Sequence, residues 1–180
     1  EGSAAKNFEA LIPLLHQYPD MIMFGSDDKH PDELAAWHIN KLCARAVAKG
    51  IDVFHVLQAA CVNPVLHYNM NVGQLHAGDA ADFILVNNLR EFDVLATYID
   101  GQLVAENGVT KIPRTISTDR PNAFNRARID PSALGIPADG QYPFPVIEAL
   151  DGQLITNAVH EQPAIEHGHF VADPSRDLLK

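Results

Sequence analysis

The stretch that decides the fold is "CVNPVLHYNMNVGQLHAGDAADFILVNNL", residues 61–89. Asn63-Pro64 ends one helix and starts a short further turn, because proline suits the first helical position. At Gly73 the texture changes from helical to strand-like. Gly73 and Gly78 are expected to supply tight turns before a buried strand over "FILV". Asp82 is expected to make local hydrogen bonds, a structural role.

Toward the N-terminus, residues 5–16, "AKNFEALIPLLH", predict an amphipathic helix with Phe8, Leu11, Ile12 and Leu15 at helical spacing, although Pro13 lies inside it. "MIMF", residues 21–24, reads as a short buried strand. Pro31, followed by Asp32 and Glu33, opens a second helix whose apolar face runs Ala35, Ile39, Leu42, Cys43, Ala46 and which stops at Gly50. Asp52 caps a third helix through about Val62. Both cysteines, Cys43 and Cys61, fall in these apolar patterns and read as buried thiols; no CxxC motif is present.

Toward the C-terminus, β-branched runs and turn dipeptides predict strands, with Asp100-Gly101 a strong hairpin signal. Six of the twelve prolines fall between Pro113 and Pro145, a loop-rich connection. A last strand pair surrounds a second Asp-Gly, so DGQL occurs at 100–103 and again at 151–154. The order is helix, strand, helices, then an almost purely β second half. That is α/β plus β, and one strand with its helices cannot close a sheet by itself.

The net charge of −10 argues against nucleic acid and anionic membranes as partners, since both reward clustered lysine and arginine. No apolar run reaches the length of a membrane span and no signal peptide is read, so a cytoplasmic protein is expected. The chain starts without methionine and reads as a piece of something longer.

Chemistry concentrates in "MIMFGSDDKHPDEL", residues 21–34. In β/α folds catalytic groups sit at the carboxyl ends of strands, where Asp27 and Asp28 fall. A carboxylate there can bind a metal ion or take a proton from a bound water; the plainer reading is a cap on the next helix. Of the nine histidines, His167 and His169 form an HxH pair, but their glycine-containing context reads as a solvated loop. His38 faces either the mouth or the core and surface, while His55, His67 and His76 read as surface positions. Nucleophile elbow, GxGxxG and P-loop motifs are absent.

Asn63-Pro64, Gly73-x-Leu75, Gly78 and Ala81-Asp82-Phe83 resemble the segment where amidohydrolase-superfamily enzymes leave their (β/α)8 barrel for a small β-sandwich. "EGSAAKNFEALIPLL", "SDDKHPDEL", "DGQLVAENG" and "VADPSRDLLK" further resemble the adenine deaminases. The resemblance implies an incomplete end of a (β/α)8 barrel over 1–72, a composite β-sandwich segment over 73–117, and a proline-rich connection with the β-rich start of a C-terminal domain over 118–180. It implies hydrolysis of adenine to hypoxanthine and ammonia in purine salvage, and a homo-oligomer. It also implies a divalent metal, manganese or iron, with zinc as an alternative. Asp27 matches the carboxylate that ligates the metal and shuttles the proton of its bound water. Asp28 is the second choice, and His30 is the candidate for purine binding. Ser26 departs from the family's threonine. The family's histidine ligands precede this segment, so the chain alone is expected to hold no metal and to be inactive. Two other readings remain open: a dihydroorotase-like or imidazolonepropionase-like amidohydrolase, and a non-catalytic β-rich assembly module.

Overall fold

The apolar periodicities of the first half do form helices, but in shorter pieces than the pattern suggests. The computed structural model describes residues 1–119, 122–140 and 143–179, so Arg120, Pro121, Gln141 and Tyr142 of the proline-rich stretch and Lys180 lie outside the description. The chain divides into two compact units, Glu1–Arg114 and Thr115–Lys180.

In the first unit, α1 (Phe8–Leu11) passes directly into a 3-10 turn (Ile12–His16). Pro13 has no N–H to give to Glu9, which ends the α-type ladder there. The second expected helix is likewise two: α2 (Pro31–Ala36) and α3 (Ile39–Ala48), separated by extended backbone at Trp37 and His38. Gly50 does stop α3, with φ +82. Its N–H donates to Val47 O at 2.9 Å and the Ile51 N–H to Ala46 O at 3.2 Å, the paired bonds of a Schellman cap. Asp52 caps α4 (Val53–Leu57) by accepting from the N–H groups of Phe54 and His55. These pieces enclose one core, in which Leu15, Leu42 and Val56 are fully buried and Phe8, Cys43, Ile51, Ala59 and Phe92 surround them. Cys61 departs from expectation and is exposed, because the helix turns it away from that core.

The expected strand at residues 21–24 is not formed: among the described residues this stretch joins no sheet, and Met21 is 82% exposed. A strand exists only by pairing, and no neighbouring strand lies beside it. The stretch is instead tied to the helices. A π-type turn (Gln58–Val62) leads into α5 (Asn63–Tyr68), and the Asn63 N–H donates to Gln58 O. In that register Ala59 O would receive the N–H of residue 64, which is proline and has none. The Ala59 carbonyl accepts from Phe24 N–H at 3.0 Å instead. The buried Asn63 side chain adds two more ties, its Nδ2 donating to Pro19 O at 2.7 Å and to Ile22 O at 2.6 Å.

The rest of this unit is an antiparallel meander, β1 (Phe83–Val86), β2 (Val94–Ile99), β3 (Gln102–Glu106) and β4 (Val109–Thr110), in that order. Asp100 and Gly101 form the expected hairpin with φ of +49 and +73, the two left-handed residues of a type I′ turn. Asp82 is structural as expected: one carboxylate oxygen accepts from Asp100 N–H at 2.7 Å, the other from Gly73 N–H at 2.8 Å. Those bonds hold its carboxyl below the usual range. Gly73 is needed for a different reason than expected: it has no positive φ, but a Cβ there would lie 1.8 Å from Ala80 O. Phe83 and Tyr98 face each other across the ladder with stacked rings 4.6 Å apart. The loop after β1 sends Phe92 into the helical core, and Asn40 Nδ2 donates to its carbonyl at 3.0 Å.

The second unit is sparse. β5 (Ile136–Pro137), β6 (Phe144–Ala149), β7 (Thr156–Glu161), β8 (Ile165–Glu166) and β9 (His169–Phe170) form a β6–β7 ribbon and a small β5-β9-β8 sheet. Buried Phe170 packs against Phe144, ring centroids 4.6 Å apart. The second DGQL lies within a wide connection over residues 150–155, unlike the two-residue turn of the first. His167 and His169 are not in an open loop: His167-Gly168, with φ of +50 and +77, turns β8 into β9, and His169 Nδ1 lies 3.1 Å from His167 O. The His169 ring is oriented by that contact with the backbone of the turn.

Candidate active site

The loop after residues 21–24 is a tight turn. Lys29 N–H donates to Ser26 O at 3.1 Å, which puts Asp27 and Asp28 at the two corners. Asp27 carries φ +42, a left-handed conformation that a non-glycine residue adopts at a cost. Its carboxylate is exposed and accepts no hydrogen bond among the described residues.

Asp28 differs. Its Oδ2 accepts from Ala4 N–H at 3.3 Å, and its Oδ1 would lie 1.6 Å from a Cβ on Gly2. The buried Gly2 backbone therefore sits directly on this carboxylate. His30 is held through its backbone, its N–H donating to Ser3 Oγ at 2.8 Å, while the residue itself is exposed. The Ser3 hydroxyl donates to Glu33 Oε2 at 2.6 Å, and Lys29 Nζ lies 3.3 Å from the same oxygen. The Ser3 hydroxyl and then Lys29 hold the Glu33 carboxyl below its ordinary range.

Trp37, which the sequence reading did not place here, and His38, for which it left the orientation open, complete the surroundings. The Lys29 side chain is only 2% exposed, with its ammonium 3.1 Å from the centroid of the Trp37 ring. His38 Nε2 lies 3.0 Å from Ser26 Oγ, so of the orientations left open His38 takes the one toward the Ser26–Lys29 turn. A sole tryptophan beside a histidine, next to a carboxylate turn, was the available signal. Gly2 and Ser3 gave none beyond the resemblance of "EGSA".

Residues 1–104 match the Amidohydrolase family. The chain belongs to the amidohydrolase family. It is 48% identical over 180 residues to an adenine deaminase of Salinibacter ruber, a match covering all of this chain and 33% of that protein. It is 44% identical over 190 aligned residues to an adenine deaminase of Methanosarcina acetivorans, covering all of this chain and 34% of that protein. The chain thus spans about a third of the length of the curated relatives it matches. A crystal structure of a β-aspartyl dipeptidase from Fervidobacterium islandicum AW-1 superposes with a TM-score of 0.47 at 18% identity, over 63% of this chain and 34% of that one.

A divalent metal needs several donors converging on one point. Among the described residues of this amidohydrolase segment, no group of three or more His, Cys, Asp or Glu side chains is placed to hold one. His167 and His169 belong to the second unit, and Asp28 is already engaged by Ala4. The residues present therefore do not make a metal site by themselves; Asp27 offers one free carboxylate. No helix among the described residues is long and apolar enough to cross a membrane.

Proposed function

We propose that this chain is part of a cytoplasmic, homo-oligomeric adenine deaminase of purine salvage, and that Asp27 carries its proton. The whole enzyme adds water at C6 of adenine, breaks the C6–N6 bond and releases ammonia and hypoxanthine. The observation that carries this reading is the 48% and 44% identity to adenine deaminases across the full chain. Asp27 takes a proton from the attacking water and gives one to the leaving nitrogen. Its lack of a hydrogen-bond partner favours it over Asp28 for this task. His30 presents an exposed side chain on the same loop for the purine. Manganese or iron, with zinc as the alternative, is assigned to the whole enzyme, with Asp27 as one ligand and the others outside these residues.

Residues 1–72 are read as the end of a (β/α)8 barrel, 73–117 as part of a β-sandwich, and 118–180 as a connection and the start of a C-terminal domain. Two features support that over a free-standing module: among the described residues, residues 21–24 have no strand partner, and Leu11, Leu14 and Met21 present apolar side chains to solvent.

The test is ammonia release by the full-length enzyme from adenine, adenosine and cyclic amides. Turnover of adenine is expected, and Asp27→Asn should lower kcat by about 10²–10⁴-fold. Asp28→Asn should act mainly on stability. No release from adenine, with turnover of a cyclic amide, would reassign the substrate. Full activity in Asp27→Asn would move the proton carrier elsewhere. The 180-residue chain alone is expected to be inactive.

A further inference from the structure

The break between α2 and α3 delivers two adjacent side chains to opposite ends of the Ser26–Lys29 turn. From this geometry we infer that Trp37 and His38 are positioning residues that hold Asp27 in its strained conformation. His38 grips the first position of the turn, its Nε2 3.0 Å from Ser26 Oγ. Trp37 grips the last, its ring under the Lys29 ammonium at 3.1 Å. Lys29 is fixed a second time by Glu33 at 3.3 Å, and its side chain is almost wholly enclosed. The two carboxylates lie at the corners in between, one of them with φ +42.

The break has no proline or glycine to cause it. Trp37 has φ −165 and ψ 160, and His38 has φ −140 and ψ −148, backbone that any residue adopts. In extended backbone successive side chains leave on opposite sides, and here one reaches Ser26 and the next-door ring reaches Lys29, the two ends of the same turn. A left-handed aspartate persists only where its surroundings over-determine it, and these two contacts, with Lys29 N–H on Ser26 O, supply that constraint.

The kinetic part of this inference rests on the deaminase reading; the structural part does not. The experiment uses the full-length enzyme with Ser26→Ala and Trp37→Leu, which each remove one grip, and Ser26→Thr and Trp37→Phe, which keep a hydroxyl and a ring. Adenine turnover and amide hydrogen exchange at Lys29 are measured together. Ser26→Ala and Trp37→Leu should each lower kcat about 10- to 100-fold with KM within about threefold, the signature of a misplaced reacting group. Exchange at the Lys29 N–H should accelerate at least about tenfold in both, with α3 amides unchanged. The conservative variants should return both readouts to within about threefold of the parent. If a truncating variant does not fold, His38→Asn and Lys29→Met test the same grips from their other ends. Unchanged kcat with unchanged Lys29 protection overturns the clamp. A loss confined to stability, or to KM, overturns it as well. If the parent enzyme releases no ammonia from adenine, the function reading fails, and Lys29 exchange alone decides the clamp.

Discussion

Replacing Asn63 with leucine removes a buried polar side chain that ties residues 19–22 to the helices. Leucine is close in size, so the change is chiefly one of hydrogen bonding. Two bonds are lost, to Pro19 O at 2.7 Å and Ile22 O at 2.6 Å, and two partly enclosed carbonyls are left without that donor. A hydrogen bond lost this way costs about 1–2 kcal/mol, so the pair is worth about 2–4 kcal/mol. The loss should fall locally, on the stretch leading to the Asp27 turn. The reporter is Phe24 N–H, which rests on Ala59 O only two residues beyond Ile22. At about 1.4 kcal/mol per factor of ten, its native-state exchange should accelerate about 30- to 1000-fold. Amides deep in α3, such as Leu42, serve as the control and should keep their rates. Asn63→Asp should be at least as damaging, since it faces a negative charge toward two carbonyl oxygens. Phe24 protection within about threefold of the parent in Asn63→Leu would refute the reasoning, and Ala59 O would then be sufficient by itself.

Gly73→Ala should lower Tm by several degrees or prevent folding, because its Cβ would meet the Ala80 carbonyl at 1.8 Å and only backbone can yield there; thermal unfolding checks it. Asp82 has a folded pKa depressed below its unfolded value by bonds from Asp100 and Gly73. Its stabilising contribution is therefore full above about pH 4 and is lost as pH falls through the folded pKa, so Asp82→Asn should flatten the acid limb of a stability-versus-pH curve. Burial pushes the Cys43 thiol up to about 12 and the Cys61 thiol in the same direction, but only Cys61 is exposed to solvent, so a thiol reagent at pH 8 should label Cys61 ahead of Cys43 in the native protein, slowly, and both quickly only in denaturant.

Features set by chemistry within a few residues could be read from the sequence. Gly50 as a helix stop, Asp52 as a cap and the left-handed Asp100-Gly101 pair have local causes, while Asp82 was readable as a structural carboxylate although its bonds reach Gly73 and Asp100. Residues 21–24 have the composition of a strand, but pairing depends on distant segments that composition does not report. The Trp37-His38 break has no punctuating residue; contacts to Lys29 and Ser26 across the loop accompany it. The different surroundings of Asp27 and Asp28 could not be read from the sequence. That difference rests on Gly2 and Ala4 lying against Asp28, a contact across 24 residues.

The two copies of Asp-Gly-Gln-Leu carry a last consequence. At 100–103 the tetrapeptide makes a two-residue reversal, and at 151–154 it lies within a connection of residues 150–155. What differs is the company each keeps. Asp100 N–H is held by the Asp82 carboxylate and Gly101 N–H by Ala81 O at 3.0 Å, a docking point 18 residues upstream of Asp100. In the second copy Gln153 N–H folds back on Leu150 O at 3.2 Å instead. Transplanting the four letters would therefore not transplant the bend. Its instruction is written partly at Asp82, outside the four residues themselves.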